Sequence, residues 1–486
     1  MQTNPASATP NSAYPFAPLC GGPQLKIQTT SKSITPFAGL LSFLAWLRRI
    51  GLPGRMEGLM PFTYTSPNAI PTVHTMLAFL VTVILGGSRF AHSDWLRFDT
   101  ALHRLMGIAR FPAKDAIRRF FLRFGQAEIE KFYRPLWAWL LAMWTPPPLG
   151  FTLDLDSTIF QRSGTQEGAA KGYNPQRRGR LSHHPLLAVL AEAPMILHAW
   201  LRSGNTAAGR GVVAFLSEAL HQLPAAWRIR CVRADSGFFE NAFLSDLEAR
   251  GLPYIVVAKM TPQIKSGLKR IHHWRALDAT HSVSEFRAQL QGWRHPRRCV
   301  VVREKASEKK AGQTVGRQLL DVPGYTYRVW CTNSAELPEA VWRDYNQRAT
   351  IEQRIEELKN DLHADGFCTQ RFFATEAAFL AVLFTFNLLA TYQAQTMPTA
   401  SYRQPATLLS ALFIGGAILG RSGHNEVLRV SSNWGGAEEH QPLIDKAINA
   451  TDPIASRFPN HRSLDHYPVS ENPWHQASLD PGGGEI

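Results

Sequence analysis

Three acidic positions in this chain stand where carboxylates could work together. "FTLDLDST" puts Asp154 and Asp156 at the end of an apolar run, and a period of two places both on one face of a strand. "RIRCVRADSGFF" ends a second run on Asp235, ahead of a glycine turn. "YNQRATIEQRIEELK" carries Glu352, Glu356 and Glu357 on a helical pattern. In α/β sheets, strand ends are where sites sit. Carboxylates with no nearby thiols or histidine pairs suit hard divalent cations such as Mg²⁺ or Mn²⁺. Two such ions roughly 4 Å apart would activate water or a 3′-hydroxyl and steady the leaving oxygen of a phosphodiester. Each position also has a plain structural reading. Asp156 could cap a turn and Asp235 a helix, and the glutamates could pair i,i+4 with arginine.

The spacing on the helix narrows the choice. Tyr345, Arg348, Glu352 and Lys359 are three, four and seven residues apart, which keeps all four on one face. Glu356 shares that face, and Glu357 lies about 100° away. Arg348, one turn before Glu352, could orient it or clamp a phosphate.

The elements that must position these groups follow from texture. The chain has 486 residues, 45% of them hydrophobic, enough for two to four domains with sizeable cores. Its net charge of +14 favours a polyanionic partner. Five scattered cysteines without a CxxC fit a reducing cytosol rather than a disulfide framework or a thiolate zinc site. The longest apolar runs, 76–85 and 377–390, fall short of the roughly 20 residues a membrane span needs and read as buried helices. No membrane partner is expected, which leaves nucleic acid.

Residues 1–25, rich in Pro, Ser, Asn and Thr, predict disorder. Residues 26–145 read as an all-α N-terminal domain for DNA binding. Within it Arg104, Arg110, Lys114, Arg118, Arg119 and Arg123 are exposed on short helices. After the linker "TPPPLG" come strands at 151–156, 184–192, 195–202, 228–235 and 253–259. The first three are antiparallel and the later ones, alternating with helices, parallel. Residues 260–323 read as a β-rich insertion, with strand-like pieces at 299–304 and 317–322. Then come a strand at 325–332, a long helix at about 338–362 and a buried one at about 374–393. From 396 to 486 the composition predicts a helical piece at 405–420 and then disorder.

The sequence "YNQRATIEQRIEELK" carries Tyr, Arg, Glu and Lys at the spacing of the YREK signature, and the chain resembles insertion-sequence transposases of the DDE superfamily. "LDLDST", "RADSGFF", "GAAKGYNPQRRGRLSHHPLL" and "LRSGNT" are similar to the group 1 type of DDE domain, over about 150–390. The resemblance implies a ribonuclease-H-like mixed sheet with flanking helices as the catalytic core (150–393), interrupted by the insertion. It implies Asp156, Asp235 and Glu352 as the catalytic residues holding two Mg²⁺ or Mn²⁺ ions, with Asp154 as the alternative first carboxylate. It implies that Tyr345, Arg348 and Lys359 contact transposon-end DNA. The partners would be double-stranded DNA, both terminal inverted repeats and target, with a homodimer in a synaptic complex. The setting would be the bacterial cytoplasm, in association with the nucleoid. The activity would be cleavage at element ends and strand transfer. The alternatives are a metal-dependent nuclease without strand transfer and a non-catalytic DNA-binding protein from a decayed element.

Two further stretches are read from their residues. Lys171, Arg177, Arg178 and Arg180 lie in a glycine-rich loop near the first aspartate and could hold phosphates. Trp293 with Arg297 and Arg298 could stack on a flipped base and hold phosphates, or Trp293 could pack the insertion's own core.

Overall fold

The computed structural model describes residues 14–174, 177–305, 324–433 and 437–449. Expectations for residues 1–13, for 317–322 and for the tail from 450 fall outside these. Where composition predicts disorder, β1 (Tyr14–Phe16) and β2 (Leu25–Ile27) pair as an antiparallel ribbon. After β3 (Ser33–Thr35) come α1 (Leu40–Arg49), α2 (Leu52–Leu59), α3 (Thr72–Ile84), α4 (Ser93–Leu96), α5 (Thr100–Met106), α6 (Lys114–Phe121) and α7 (Gln126–Leu141). Gly107 ends α5 in the left-handed region (φ 67), which a side chain would resist.

The strands follow as β4 (Phe151–Ser157), β5 (Phe160–Gln161), β6 (Ala170–Lys171), β7 (Leu181–His183), β8 (Leu186–Leu190) and β9 (Met195–Trp200). Next come α8 (Val212–His221), β10 (Ile229–Ala234), α9 (Asn241–Ala249), β11 (Tyr254–Val257), α10 (Pro262–Lys269), β12 (Arg275–Ala276), β13 (His281–Ala288), β14 (Arg297–Lys305) and β15 (Tyr325–Thr332). One mixed sheet takes nine of them in the order β12-β13-β14-β15-β11-β10-β4-β8-β9. β4, β8 and β9 run antiparallel, whereas β10 is parallel to both β4 and β11. The insertion is no separate β unit: β14 pairs β15, and β15 pairs β11, so it extends the central sheet.

The expected long helix is broken into α11 (Pro338–Asn346), α12 (Ala349–Glu356) and a π turn at Glu357–Asp361. Then α13 (Phe372–Thr396) runs through the interior. At 25 residues it is longer than its apolar run suggests, long and apolar enough by composition to cross a membrane. Yet 94% of its most apolar window is buried inside the protein. Being apolar all round, it needs cover on every side. It receives β9 on one side and α3, α6 and α7 on others. β9 is the last strand of the sheet, and its backbone needs partners. Asn387 of α13 supplies them, accepting from Ile196 N and donating to Ile196 O, both at 2.8 Å. Tyr133 of α7 and Ser42 of α1 bond to the same helix at Ala377 O and Tyr392. A continuous apolar core therefore joins the N-terminal helices to the sheet.

Beyond 396 the helical piece expected at 405–420 is present as far as Phe413, and the structure departs from the disorder expected after it. α14 (Pro405–Leu408) and a π turn lead to the hairpin of β16 (Ala417–Ser422) and β17 (Asn425–Val430), and α15 (Ala437–Asn449) packs on α1. β16 pairs with β3, so the two ends of the described chain share a small sheet.

Candidate active site

Two strand ends meet at the centre of the sheet. β4 and β10 are parallel neighbours whose paired positions end at Leu155 and Ala234. The next residues are Asp156, one before the end of β4, and Asp235, just past the end of β10. Asp156 accepts from Ser157 N at 2.7 Å through Oδ1, and Oδ2 lies 3.1 Å from Arg348 Nη2. Burial pushes its carboxyl up to about 6; Arg348 opposes the rise, while the charges of Asp235 and Glu352 add to it. Asp156 therefore feels both other acids. Asp235 is half-buried and N-caps a 3₁₀ turn through Gly237 N at 2.9 Å. The capping reading is true of it, and uses one of its two oxygens.

The helical signature is present but not as one straight helix. Tyr345 ends its ring against Trp330, with centroids 5.6 Å apart, and burial pushes its phenol up to about 12. The chain then turns at Gln347 and Arg348, where Arg348 N bonds Tyr345 O at 2.9 Å in 3₁₀ fashion. The Arg348 side chain points inward, donating to Leu155 O at 2.8 Å. Glu352 is exposed one turn into α12. Lys359, half-buried in the π turn, has its ammonium pKa lowered by burial, against the pull of Asp365 and Asp156. The expectation of four side chains on one straight face is thus corrected. Tyr345 and Arg348 are buried, Glu352 is exposed, and the joint between them comes from tertiary bonds.

Asp154 has a different setting from Asp156. It is fully buried, and both its oxygens bond to Arg233, at 2.7 and 2.8 Å. No oxygen of Asp154 is left for an incoming ligand, whereas Asp156 stands at the open strand end. Glu357 is held through Oε2 alone, by Arg354 at 2.8 Å and Tyr402 at 2.9 Å, and is buried. Among the described residues, no three His, Cys, Asp or Glu side chains converge closely enough to hold a metal ion as they stand. By donor type, the site offers carboxylate oxygen only, the ligand chemistry of a hard divalent cation. His184 lies at its edge, with Nδ1 2.7 Å from Thr206 O.

Beside the strand ends rises a basic hairpin. Lys171 of β6 and Arg177, Arg178 and Arg180 before β7 are all exposed. Its base is rigid. Arg162 Nε donates to His183 Nδ1 at 2.9 Å, which places the ring proton on Nε2, facing Glu167 O at 2.9 Å. "LRSGNT" packs beneath: a Cβ on Gly204 would fall 2.0 Å from Ser182 O, so only glycine allows this approach.

In the insertion, the packing alternative holds. Trp293 is buried against Phe239, and the Arg297 guanidinium sits 4.4 Å over its ring. Arg297 in turn is bound by Glu248 at 2.7 and 2.9 Å. Arg298 bonds Glu285, Ser334 O and Glu336 O. In this conformation Trp293 is covered, and both arginines spend donors internally; the Arg297 guanidinium, being buried, must be paired.

The six basic residues expected on the N-terminal helices are exposed. Arg110, Arg119 and Arg123, with Arg97 and Tyr64, line a groove of about 600 Å³. Lys114 pairs with Asp94 at 3.7 Å, Arg118 with Asp115 at 3.7 Å and Arg104 with Glu426 at 3.3 Å.

With this geometry in view, comparison with known proteins gives one family match: the transposase DDE domain group 1 matches residues 17–450. The chain belongs to this family. The match takes in both strand-end aspartates, the helical signature and the helices before them. Among solved structures, the chain is similar to a cryo-EM structure of the piggyBac transposase synaptic complex with hairpin DNA, at TM-score 0.42 and 13% identity over 91% of each chain. No curated protein matches it. Membership supports a transposase role.

Sequence reasoning missed Arg233, Asp344 and Arg202. Arg202 is buried and donates to the carbonyls of His184, Ala207, Ala208 and Arg210, shaping the loop that follows "LRSG". For Arg202 the available signal was a single cation closing an apolar run, two residues past β9.

Proposed function

We propose that this protein is a transposase that cleaves DNA at the ends of an insertion sequence and joins the freed 3′-hydroxyl to target DNA. The observation that carries the reading is the side-by-side placement of Asp156 and Asp235 at adjacent parallel strand ends, with the charge of Glu352 acting on Asp156. The strand order β9-β8-β4-β10-β11 supports a ribonuclease-H-like core. Asp156, Asp235 and Glu352 would hold two Mg²⁺ or Mn²⁺ ions, once the three draw closer. Divalent ions there supply an activated water or 3′-hydroxyl and stabilise the leaving oxygen.

The chain's own groups do the rest. Arg348 neutralises the first carboxylate until it is engaged. Lys359 places a cation beside it, suited to a phosphate of the cut strand. Lys171, Arg177, Arg178 and Arg180 hold flanking phosphates of double-stranded DNA, and the groove of Arg97, Arg110, Arg119 and Arg123 holds more distant ones. Joining two element ends calls for a synaptic dimer, working at the bacterial nucleoid.

The test is cleavage and strand transfer with element-end DNA in Mg²⁺, comparing wild type with Asp235→Asn and Glu352→Gln. Each variant is expected to lose on the order of 10²-fold or more in rate. Equal rates in wild type and variants would discard the carboxylate assignment. Cleavage without joined product would mark a nuclease instead.

A further inference from the structure

Ahead of each site carboxylate along the chain lies a second charge, set back from the site. Asp154 lies two residues before Asp156 on β4, and Arg233 two before Asp235 on β10. Asp344 lies in the last turn of α11, ahead of the joint that leads to Glu352. The three meet. Arg233 grips Asp154 with Nε and Nη2, and its Nη1 donates to Asp344 Oδ1 at 3.0 Å and to the Asp344 carbonyl. Arg230 holds the same Asp344 carboxylate from the other side, at 3.0 and 3.1 Å, and reaches Glu192 at 3.3 Å. A register shift between Ile229 and Cys231 re-aims Arg230, so two arginines three apart on one strand reach one carboxylate.

Stability alone is a poor reason for such a network. Arg233 and Asp154 are both 0% exposed, and taking two charges out of water costs about as much as their attraction returns. What the network supplies is direction. In an unbroken helix the Asp344 carbonyl would be taken by Arg348 N alone. Here it is shared by Arg233 and Gln347 N, and Arg348 N turns to Tyr345 O. That exchange makes the joint between α11 and α12, and α12 carries Glu352.

We propose that Arg233 is a positioning residue. Through Asp154 and Asp344 it clamps β4, β10 and α11 together, and so sets where Glu352 stands relative to Asp156 and Asp235. The proposal rests on those three carboxylates being the metal-binding set.

The full chain is tested with Asp154→Leu/Arg233→Met, which removes the pair without stranding a charge, and with Arg233→Lys, which keeps the charge but loses the fork. Three quantities are read: thermal midpoint, hydrogen exchange of amides 345–352 without metal or DNA, and Mn²⁺ binding by electron paramagnetic resonance. The double variant is expected to melt near wild type. Exchange across the joint should rise about tenfold or more, while β8 and β9 stay protected. Half-saturation by Mn²⁺ should rise about tenfold or more, as when the support of a metal ligand is removed. Arg233→Lys should fall between the two, and carries the test if the double variant does not fold. Unchanged exchange and unchanged Mn²⁺ binding in the folded variants would overturn the proposal. If wild type neither binds Mn²⁺ nor cleaves DNA, the carboxylate assignment fails, and exchange at the joint still decides the role of Arg233.

Discussion

At the scale of single residues, environment separates groups that look alike in the sequence. Aspartates 154 and 156, two residues apart, differ because Arg233 takes both oxygens of the first and Arg348 only one of the second. Adjacent histidines differ too. His183 is fully buried, and burial together with Arg162 pushes its imidazole down to about 4. It is neutral in the fold but titrates near 6.5 when unfolded. Its contribution is therefore complete above that pH and is lost as pH falls towards 4. Urea denaturation from pH 7 to 4 should show this group removing up to about 3 kcal/mol of stability. His183→Gln should flatten that part of the slope, and identical slopes would assign the loss to other groups. A second prediction follows from the carboxylates. Saturating Mn²⁺ should raise the thermal midpoint of wild type, as for any ligand bound only by the folded form, and much less that of Asp235→Asn.

Elements were legible where one local pattern decided them. The apolar runs of β4, β8, β9, β10 and β11 announced strands, and β15 fell on the 325–332 expected for it. The helix expected at 338–362 has sound periodicity, but no local signal shows that Arg233 captures a carbonyl from another element. Residues 417–420 read as helical and 421–430 as disordered, because the strand that anchors their hairpin, β3, lies at the other end of the chain. The site was legible to the same degree. Three acids at strand ends and on a helix could be named, while the buried charges that aim them could not, since Arg233 in isolation looks like any solvated arginine. The packing of α13 on β9 gives an element-scale prediction. Asn387→Leu keeps the volume but strands the buried Ile196 N, while Ile196 O keeps the bond from Trp137 Nε1 at 2.7 Å. It should lower stability on the order of 2–4 kcal/mol by denaturant midpoint. No loss would mean that water or a neighbour replaces the amide.

Among the described residues, exposed basic side chains gather on the hairpin beside the strand ends and around the groove on the N-terminal helices. If both hold DNA, their arginines should contribute alike whatever the sequence. Arg177→Ala/Arg178→Ala/Arg180→Ala, and separately Arg110→Ala/Arg119→Ala, should weaken binding to end and unrelated duplexes together. Each should also flatten the dependence of log affinity on log salt, by roughly one for every phosphate that is no longer neutralised. Weakening confined to one sequence would instead mean base reading. The pairing of β3 with β16 has its own consequence, in time rather than space. Residues 33–35 must wait for residues 417–419, about 380 positions later, before their ladder can close. During synthesis the N-terminal helices emerge with an open strand edge and with α1 lacking α15. A truncated product never closes that edge, which leaves it prone to aggregation and proteolysis. The clasp thus closes only on a polypeptide read through at least to β16.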